Sequence, residues 1–217
     1  MDELIYNQRQ IPKEQWRYGV RSSAATGCGW IATHNALRLM GYPSEPEDLI
    51  REYARQLPLI HGLAGTSLFG LYRFFQKRGF GADLVLRKKK FDQATRQADV
   101  AILFYRWRNK WAVGAHFVTV HDTEDEGFVG YNTYRTSTGP DRYGTSLAGF
   151  LKRRKYYGAI LLTIQNPGGV PPRKAVAPTP APMEPEPAST EMPLPTDAET
   201  ATSAAEQTTE QKDTAVT

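Results

Sequence analysis

The composition of the chain changes abruptly near the start of its last quarter. Ten of the fifteen prolines lie between Pro167 and Pro195, and no aromatic residue follows Tyr157. A segment without aromatic residues and with few branched aliphatic residues cannot bury enough surface to offset the entropy lost on ordering. We therefore expect one folded domain over residues 1–165 and a disordered, acidic tail rich in Pro, Ala, Thr and Glu over residues 166–217.

The charges divide along the same boundary. The tail contains eight acidic and three basic residues, a net charge of −5, whereas the whole chain has a net charge of +4. The predicted domain therefore carries about +9. A domain this basic favours acidic partners, such as nucleic acid, an anionic surface or acidic protein segments. Alternatively, the acidic tail only screens the positive charge of the domain.

Several classes of protein are disfavoured by what the sequence lacks. A single cysteine, Cys28, excludes an intrachain disulfide framework and a multi-cysteine zinc site, and the histidines lack ligand spacing, so we expect no metal and no cofactor. The first ten residues do not resemble a secretory signal. No apolar run approaches the roughly 20 residues that a membrane span needs. We therefore expect a cytoplasmic protein without a membrane partner.

Apolar residues at helical spacing predict three helices in the first half of the chain, after an irregular segment over residues 1–25. The first begins at Cys28 and ends near residue 40, with Thr26 as its N-cap. The second follows a capping box that runs from Ser44 to Glu47. The third is capped by Thr66 and ends before Gly79.

Beyond residue 80 the pattern changes to alternating or continuously apolar segments, which is typical of strands. The predicted strands cover 82–87, 100–106, 111–121, 127–134 and 157–164, with short helices over 91–98 and from Ser146 to about Arg154, and a hairpin turn at 108–110. Helices followed by a mostly antiparallel sheet predict an α+β domain with segregated layers.

Cys28 stands at the start of the first predicted helix, between two glycines. The free N–H groups and the positive dipole end of a helix stabilise a thiolate, which is the reactive form of cysteine. Gly27 and Gly29 allow a substrate to approach closely, and the N–H of Cys28 can donate to an oxyanion. The alternative is a structural cysteine that packs as a small hydrophobic residue.

A cysteine nucleophile needs a base, and the chain has four histidines. His34 lies more than a turn along the same helix as the cysteine, and His61 lies in a loop. His116 and His121 share one strand, five residues apart, and so point to opposite faces. His116 is the better base because small neighbours precede it, with His121 as the alternative. Asn132 ends the next predicted strand, where its amide can fix the tautomer and orientation of the imidazole.

The segments "GCGWIATHNALRLMG" and "GAHFVTVHDTEDEGFVGYN" resemble the papain-like cysteine peptidase superfamily and are most similar to its C39-like group. The resemblance covers residues 1–165. It implies a papain-like α+β fold, with N-terminal helices packed on a mostly antiparallel sheet. It also implies that Cys28 is the nucleophile, His116 the general base and Asn132 the third member of the catalytic triad.

The same family places a glutamine before the nucleophile, where its side chain completes the oxyanion hole. Ser22 occupies the usual position, six residues before Cys28. The segment "IYNQRQIPKEQW" resembles the start of C39-like relatives, and this resemblance favours Gln8 as the oxyanion residue. The residue two after the cysteine is Trp30, where the relatives usually have proline.

The resemblance implies a thiol hydrolase that cleaves a peptide or isopeptide bond through a cysteine acyl-enzyme, with a peptide or protein as substrate. An acyl transferase on the same fold is an alternative. A catalytically inactive binding module is another, and it is favoured if Trp30 fills the cleft. Basic clusters at 87–90, 106–111 and 152–157 raise a third alternative, nucleic-acid binding, but we expect them to be solvated surface. The oligomeric state stays open.

Overall fold

The computed structural model describes residues 4–18, 21–55, 66–108, 113–123 and 125–167. Apart from Asn166 and Pro167, the predicted tail lies outside the described residues, as do His61 and most of the predicted hairpin turn. The disorder of the tail and the domain boundary at residue 165 therefore stay predictions.

The domain consists of short helices and a six-stranded antiparallel sheet. The helices are α1 (Ser23–Thr26), α2 (Cys28–Leu39), α3 (Pro46–Arg55), α4 (Leu68–Lys77), α5 (Phe91–Gln97) and α6 (Leu147–Arg153). The strands are β1 (Arg17–Tyr18), β2 (Arg21–Ser22), β3 (Gly81–Val85), β4 (Val100–Arg108), β5 (Val113–Thr123), β6 (Gly127–Tyr131), β7 (Asp141–Gly144) and β8 (Tyr157–Gln165). The large sheet has the order β3-β8-β4-β5-β6-β7, and all its neighbouring strands are antiparallel. The α+β class predicted from the sequence is confirmed.

The large sheet has a hydrophobic core on each face. The first core contains residues of α2, α3 and α4 and includes Phe117 of β5. The second core contains residues of α5 and α6 and includes Val118 of the same strand. Helix α2 lies directly on β5, where the hydroxyl of Thr119 donates to the carbonyl oxygen of Ala32 over 2.8 Å. The alternation along β5 therefore directs successive side chains into different cores.

Two helix starts differ from the sequence prediction. Thr26 is the last residue of α1, and the N-cap of α2 is Gly27, which offers no side-chain cap. Helix α4 is capped by Ser67, whose hydroxyl accepts from the Gly70 N–H over 2.9 Å. Thr66 instead donates to the hydroxyl of Tyr18 over 3.0 Å. The side chain of Thr66, which the sequence pattern predicted as the N-cap of this helix, is therefore engaged in a long-range contact instead.

The segment predicted to be irregular also contains short regular elements. A 3₁₀ turn covers Gln8–Gln10 and is followed by β1, β2 and α1. Strand β7 was not predicted, because its four residues, Asp141–Gly144, show no apolar alternation. Among the described residues, no helix has the length and apolar character needed to cross a membrane.

Strand β6 ends at Tyr131, three residues earlier than predicted. It pairs with β5 only from Thr119 to Thr123. Within the part of the chain that the structure describes, the first half of β5, from Val113 to Val118, therefore has no strand partner on the β6 side. This unpaired edge is where the start of α2 meets the sheet.

Candidate active site

Cys28 is the first residue of α2, and its side chain is partly buried. The backbone N–H groups of Phe117, of Gly29 and of Cys28 itself lie near its sulfur and act to lower the pKa of the thiol. Phe117 directly follows His116 on the unpaired edge of β5. The structure therefore brings the candidate nucleophile against the strand segment that carries the candidate base.

The two glycines beside Cys28 are required by close packing. A Cβ atom at Gly27 would lie 2.5 Å from the carbonyl oxygen of Ser23 and 2.7 Å from Nε1 of Trp30. A Cβ atom at Gly29 would lie 2.4 Å from Cβ of Thr66. Real side chains do not tolerate such distances, so both positions exclude larger residues. Both glycines are therefore required by the packing around the start of α2.

Burial raises the pKa of the Cys28 thiol above its ordinary value, although three nearby backbone N–H groups act to lower it. This direction is opposite to the sequence expectation of a thiolate stabilised by the helix. The helix start is present as predicted, but the desolvation of the sulfur outweighs it. Cys28 is therefore a protonated thiol at neutral pH, and its activation requires a base.

The imidazole of His116 is fixed by the main chain of Asn132. Its Nε2 lies 2.6 Å from the carbonyl oxygen of Asn132, which can only accept, so Nε2 carries the proton. In the neutral ring Nδ1 then has the free lone pair. Burial lowers the pKa of His116; the Asn132 contact acts to raise this pKa, and the charge of Arg9 adds to the lowering. His116 is therefore a neutral base at neutral pH.

The side chain of Asn132 is engaged elsewhere. Its Oδ1 accepts from the backbone N–H of Gln8 over 2.8 Å, and its Nδ2 donates to Oε1 of Gln8 over 3.2 Å. The residue is 2% exposed and adopts a left-handed backbone with φ of 63°. Asn132 thus contacts His116 through its main-chain oxygen, whereas the sequence led us to expect the side-chain amide.

Gln8 links this loop to the segment that precedes the cysteine. Its Nε2 donates to the carbonyl oxygen of Ala24 in α1 over 3.1 Å. A carboxamide nitrogen carries two hydrogens, so one donor of Gln8 remains available. The 3₁₀ turn is itself held by Asn7, whose Nδ2 donates to the carbonyl oxygen of Arg135 and whose Oδ1 accepts from the Arg9 N–H over 2.9 Å.

The other described histidines lie apart from this arrangement. His34 is fully buried, and its ring forms a hydrogen bond of 3.0 Å with the hydroxyl of Ser44. The ring of His121 stacks on Tyr131 with a centroid distance of 5.6 Å, next to the first core. Neither of these contacts involves Cys28 or His116.

Trp30 is a residue of the first core. It is fully buried, its Nε1 donates to the hydroxyl of Ser23 over 3.1 Å, and its ring packs edge-on against Trp16 at 5.5 Å. The indole of Trp30 therefore packs among the residues of the first core. Its contacts with Ser23 and Trp16 stabilise the segment that carries Cys28.

An aromatic group that the sequence analysis missed lies beside His116. The ring of Tyr105 contacts the imidazole edge-on with a centroid distance of 5.9 Å, and it stacks on Tyr156 at 4.3 Å. Nearby, Nε of Arg154 donates to the hydroxyl of Tyr134 over 3.1 Å. The basic cluster at 152–157 contained two of these residues, but nothing in its local pattern indicated which of them face the site.

Comparisons with known proteins give a distant likeness only. No protein-family model matches the chain, and no curated protein matches it. Among solved structures, it is similar to the peptidase domain of Streptococcus ComA, described as a bifunctional ABC transporter involved in a quorum-sensing pathway. The match has 13% sequence identity and a TM-score of 0.42, and it covers 63% of this chain and 90% of that domain. At this level the likeness concerns the backbone fold and says nothing of activity.

Proposed function

We propose that the chain is a cysteine hydrolase that cleaves a peptide or isopeptide bond of a peptide or protein substrate through a thioester acyl-enzyme. One observation carries the proposal. The sulfur of Cys28 lies near the backbone N–H of Phe117, and the preceding residue is His116, whose Nε2–H is held by the Asn132 carbonyl. These contacts support the Cys28 thiol as a nucleophile and the neutral, oriented imidazole of His116 as its base at this edge of β5.

In the acylation step, Nδ1 of His116 takes the proton of the Cys28 thiol while the sulfur attacks the substrate carbonyl carbon. The C–S bond forms, and the carbonyl oxygen becomes an oxyanion. Proton transfer within this step is required because burial keeps the pKa of the thiol raised. The Asn132 carbonyl remains hydrogen-bonded to Nε2–H and supports the positive charge that develops on the imidazolium.

Two donors are available for the oxyanion. One is the backbone N–H of Cys28, in the first turn of α2, where helix N–H groups lack partners within the helix. The other is the second hydrogen on Nε2 of Gln8, which stays available after the bond to Ala24. A pair of preorganised donors of this kind typically stabilises the tetrahedral intermediate of acyl transfer.

The intermediate collapses when Nδ1–H of His116 protonates the leaving amine. The C–N bond breaks, the amine departs, and a thioester remains on Cys28. His116, again neutral, then removes a proton from water as the water attacks the thioester. The C–S bond breaks, the carboxylic acid product leaves, and the thiol recovers its proton.

The test uses the full chain and a pool of peptides of known sequence, with Cys28→Ser and His116→Ala as variants. We expect new peptide termini with the wild type and none with either variant, measured by mass spectrometry. A covalent adduct on the wild type, released by hydroxylamine, would identify the thioester. Product formation that needs an added primary amine would indicate the acyl transferase instead. Cleavage that persists in Cys28→Ser would contradict the proposal.

The second candidate is a binding module without turnover. It is favoured by the raised pKa of Cys28 and by the engagement of the Asn132 amide with Gln8. Labelling with iodoacetamide separates the two, because Cys28 is the only cysteine and intact mass reports its modification directly. Fast labelling of the wild type that falls strongly in His116→Ala supports the hydrolase. Equally slow labelling of both proteins supports the binding module.

A further inference from the structure

An arginine and three tyrosines form two contacting pairs, one of which touches His116. We call Tyr105, Tyr134, Arg154 and Tyr156 the tyrosine–arginine cluster. Tyr105 links it to the imidazole, at a ring distance of 5.9 Å, and stacks almost parallel on Tyr156, at 4.3 Å and 8°. Tyr134 is two residues beyond Asn132, whose carbonyl holds His116. The cluster therefore adjoins the candidate active site from the second core side.

Arg154 is held in place by one tyrosine but retains most of its donors. Its guanidinium carbon lies 4.5 Å above the ring centre of Tyr134, and its Nε donates to the hydroxyl of the same residue. Among the described residues, neither of its terminal nitrogens has a hydrogen-bond partner, and no carboxylate lies within 4.0 Å. An exposed guanidinium fixed at Nε presents its two terminal nitrogens as a fork for a carboxylate.

The surroundings keep this guanidinium charged and available. Burial acts to lower the pKa of Arg154, but the hydrogen bond to Tyr134 helps to hold it above its ordinary value. Burial raises the pKa of Tyr134 and of Tyr156, so both remain neutral hydroxyls. The nearby acid, Asp141, is engaged by the hydroxyl of Ser137 over 2.7 Å.

We propose that Arg154, oriented by Tyr134, is a subsite that binds a carboxylate of the substrate beside Cys28 and His116. The role of that ligand as a substrate rests on the proposed function, whereas its binding next to the thiol does not. The carboxylate belongs either to an acidic side chain or to a peptide C-terminus. The basic character of the predicted domain, about +9 over residues 1–165, agrees with an acidic ligand.

The test measures how fast Cys28 is alkylated by three short peptides with an N-terminal chloroacetyl group. In this reaction the sulfur displaces chloride from carbon, a C–S bond forms, the C–Cl bond breaks, and the thiol proton passes to His116 or solvent. One peptide ends in Glu with an amidated C-terminus, one in Gln with a free C-terminal carboxylate, and one in Gln with an amidated C-terminus. Intact mass gives the rate for each, since the chain has one cysteine.

We expect at least one carboxylate peptide to react about fivefold faster than the neutral peptide, the factor typical of an ordered ion pair in partial contact with water. The preference should fall to near one in Arg154→Gln. It should persist in Lys152→Gln, which removes the same charge from an exposed position of α6. The faster of the two carboxylate peptides identifies the source of the carboxylate.

Two outcomes would overturn the inference. One is an equal preference in the wild type and Arg154→Gln, and the other is a Cys28 that reacts with none of the three peptides. A preference that depends on Arg154 in a chain that hydrolyses no peptide would keep the subsite and reject only the proposed function. Circular dichroism of each variant at the assay temperature confirms that it is folded.

Discussion

The backbone N–H of Gln8 donates to Oδ1 of Asn132 over 2.8 Å, and Oε1 of Gln8 accepts from Nδ2 of the same residue over 3.2 Å. The two residues are 124 positions apart in sequence. This pair closes the N-terminal 3₁₀ turn onto the loop that holds His116. Gln8 thus forms two hydrogen bonds with Asn132, and the second hydrogen on its Nε2 is the one that the proposed chemistry assigns to the oxyanion.

Replacing Gln8 separates these two contributions. In Gln8→Ala, we expect kcat/KM on a cleaved peptide to fall about 100-fold, the usual loss for one oxyanion donor. The free energy of unfolding should fall by about 1–2 kcal/mol, because the bonds to Ala24 and to Asn132 Nδ2 are lost. The matched control is Gln10→Ala, at an exposed position of the same turn. A loss of stability with kcat/KM unchanged would restrict Gln8 to a structural role.

Glycine at position 132 should keep the orientation of His116. Asn132→Gly retains the carbonyl oxygen and suits the backbone φ of 63°, whereas Asn132→Ala adds about 1–2 kcal/mol of strain. Nitrogen-15 NMR of the imidazole should therefore report the Nε2–H tautomer in the glycine variant as in the wild type. A change to the Nδ1–H tautomer in Asn132→Gly would mean that the side chain is needed after all.

The rate of Cys28 alkylation should depend on pH differently in the wild type and in His116→Ala. Burial lowers the pKa of His116 and raises that of Cys28. His116 therefore loses its proton at a pH below 6.5 and is neutral at higher pH. The wild-type rate of alkylation should rise as His116 loses this proton and then level off. In His116→Ala, only thiolate formed by solvent reacts, so the rate should continue to increase beyond pH 9. Parallel profiles for the two proteins would contradict base catalysis by His116.

Acid should destabilise the fold through His121. Burial lowers its pKa to about 4, and among the described residues its Nδ1 has no hydrogen-bond partner. In the unfolded chain His121 has the ordinary histidine pKa of about 6.5. Between pH 6.5 and 4, His121 is therefore protonated in the unfolded chain and neutral in the folded protein. This contribution is complete above pH 6.5 and is lost as the pH falls towards 4, which amounts to about 3 kcal/mol.

The measurement is urea unfolding at pH 7, 5 and 4 for the wild type and His121→Phe, which retains the stack on Tyr131. The decrease in stability from pH 7 to 4 should be smaller by about 3 kcal/mol in the variant. Some decrease will remain, because the lowered pKa of His116 acts in the same direction. Identical decreases would show that His121 does not titrate as its burial implies.

Trp30 should affect stability without affecting access to the thiol. Trp30→Phe removes the hydrogen bond to Ser23 and part of the contact with Trp16, so we expect a loss of about 1–3 kcal/mol. The rate of Cys28 alkylation by iodoacetamide in the folded variant should remain within about twofold of the wild type, because the indole lies in the core. A large increase in that rate would place the indole in the cleft.

Local patterns predicted most of the fold. The helical spacing that includes Trp30, Ile31 and Ala36 located α2, and the apolar runs located β4 and β8, because these residues are buried in the cores. Two helix caps were wrong: Thr66 instead forms a hydrogen bond with Tyr18, which is distant in sequence, and Thr26 belongs to α1. Strand β7 was missed because edge strands with polar residues lack the alternation that marks a half-buried strand.

The candidate site was less accessible to sequence reasoning. The predicted helix start with its flanking glycines, the strand context and the family resemblance identified Cys28 and His116 as candidates. The raised pKa of the thiol depends on burial, which no local pattern reveals. The pairing of Gln8 with Asn132 spans 124 positions and leaves no periodic signal. Arg154 stood in a cluster of several basic residues, and only the packing of Tyr134 distinguishes it from its neighbours.

The group that orients His116 is a peptide oxygen, and every residue type supplies one. Position 132 can therefore change during evolution among residues that tolerate a left-handed backbone while the imidazole keeps its orientation. A search that identifies such sites by three side chains in a fixed order will overlook chains of this kind. A search by backbone conformation next to a strand histidine will include them.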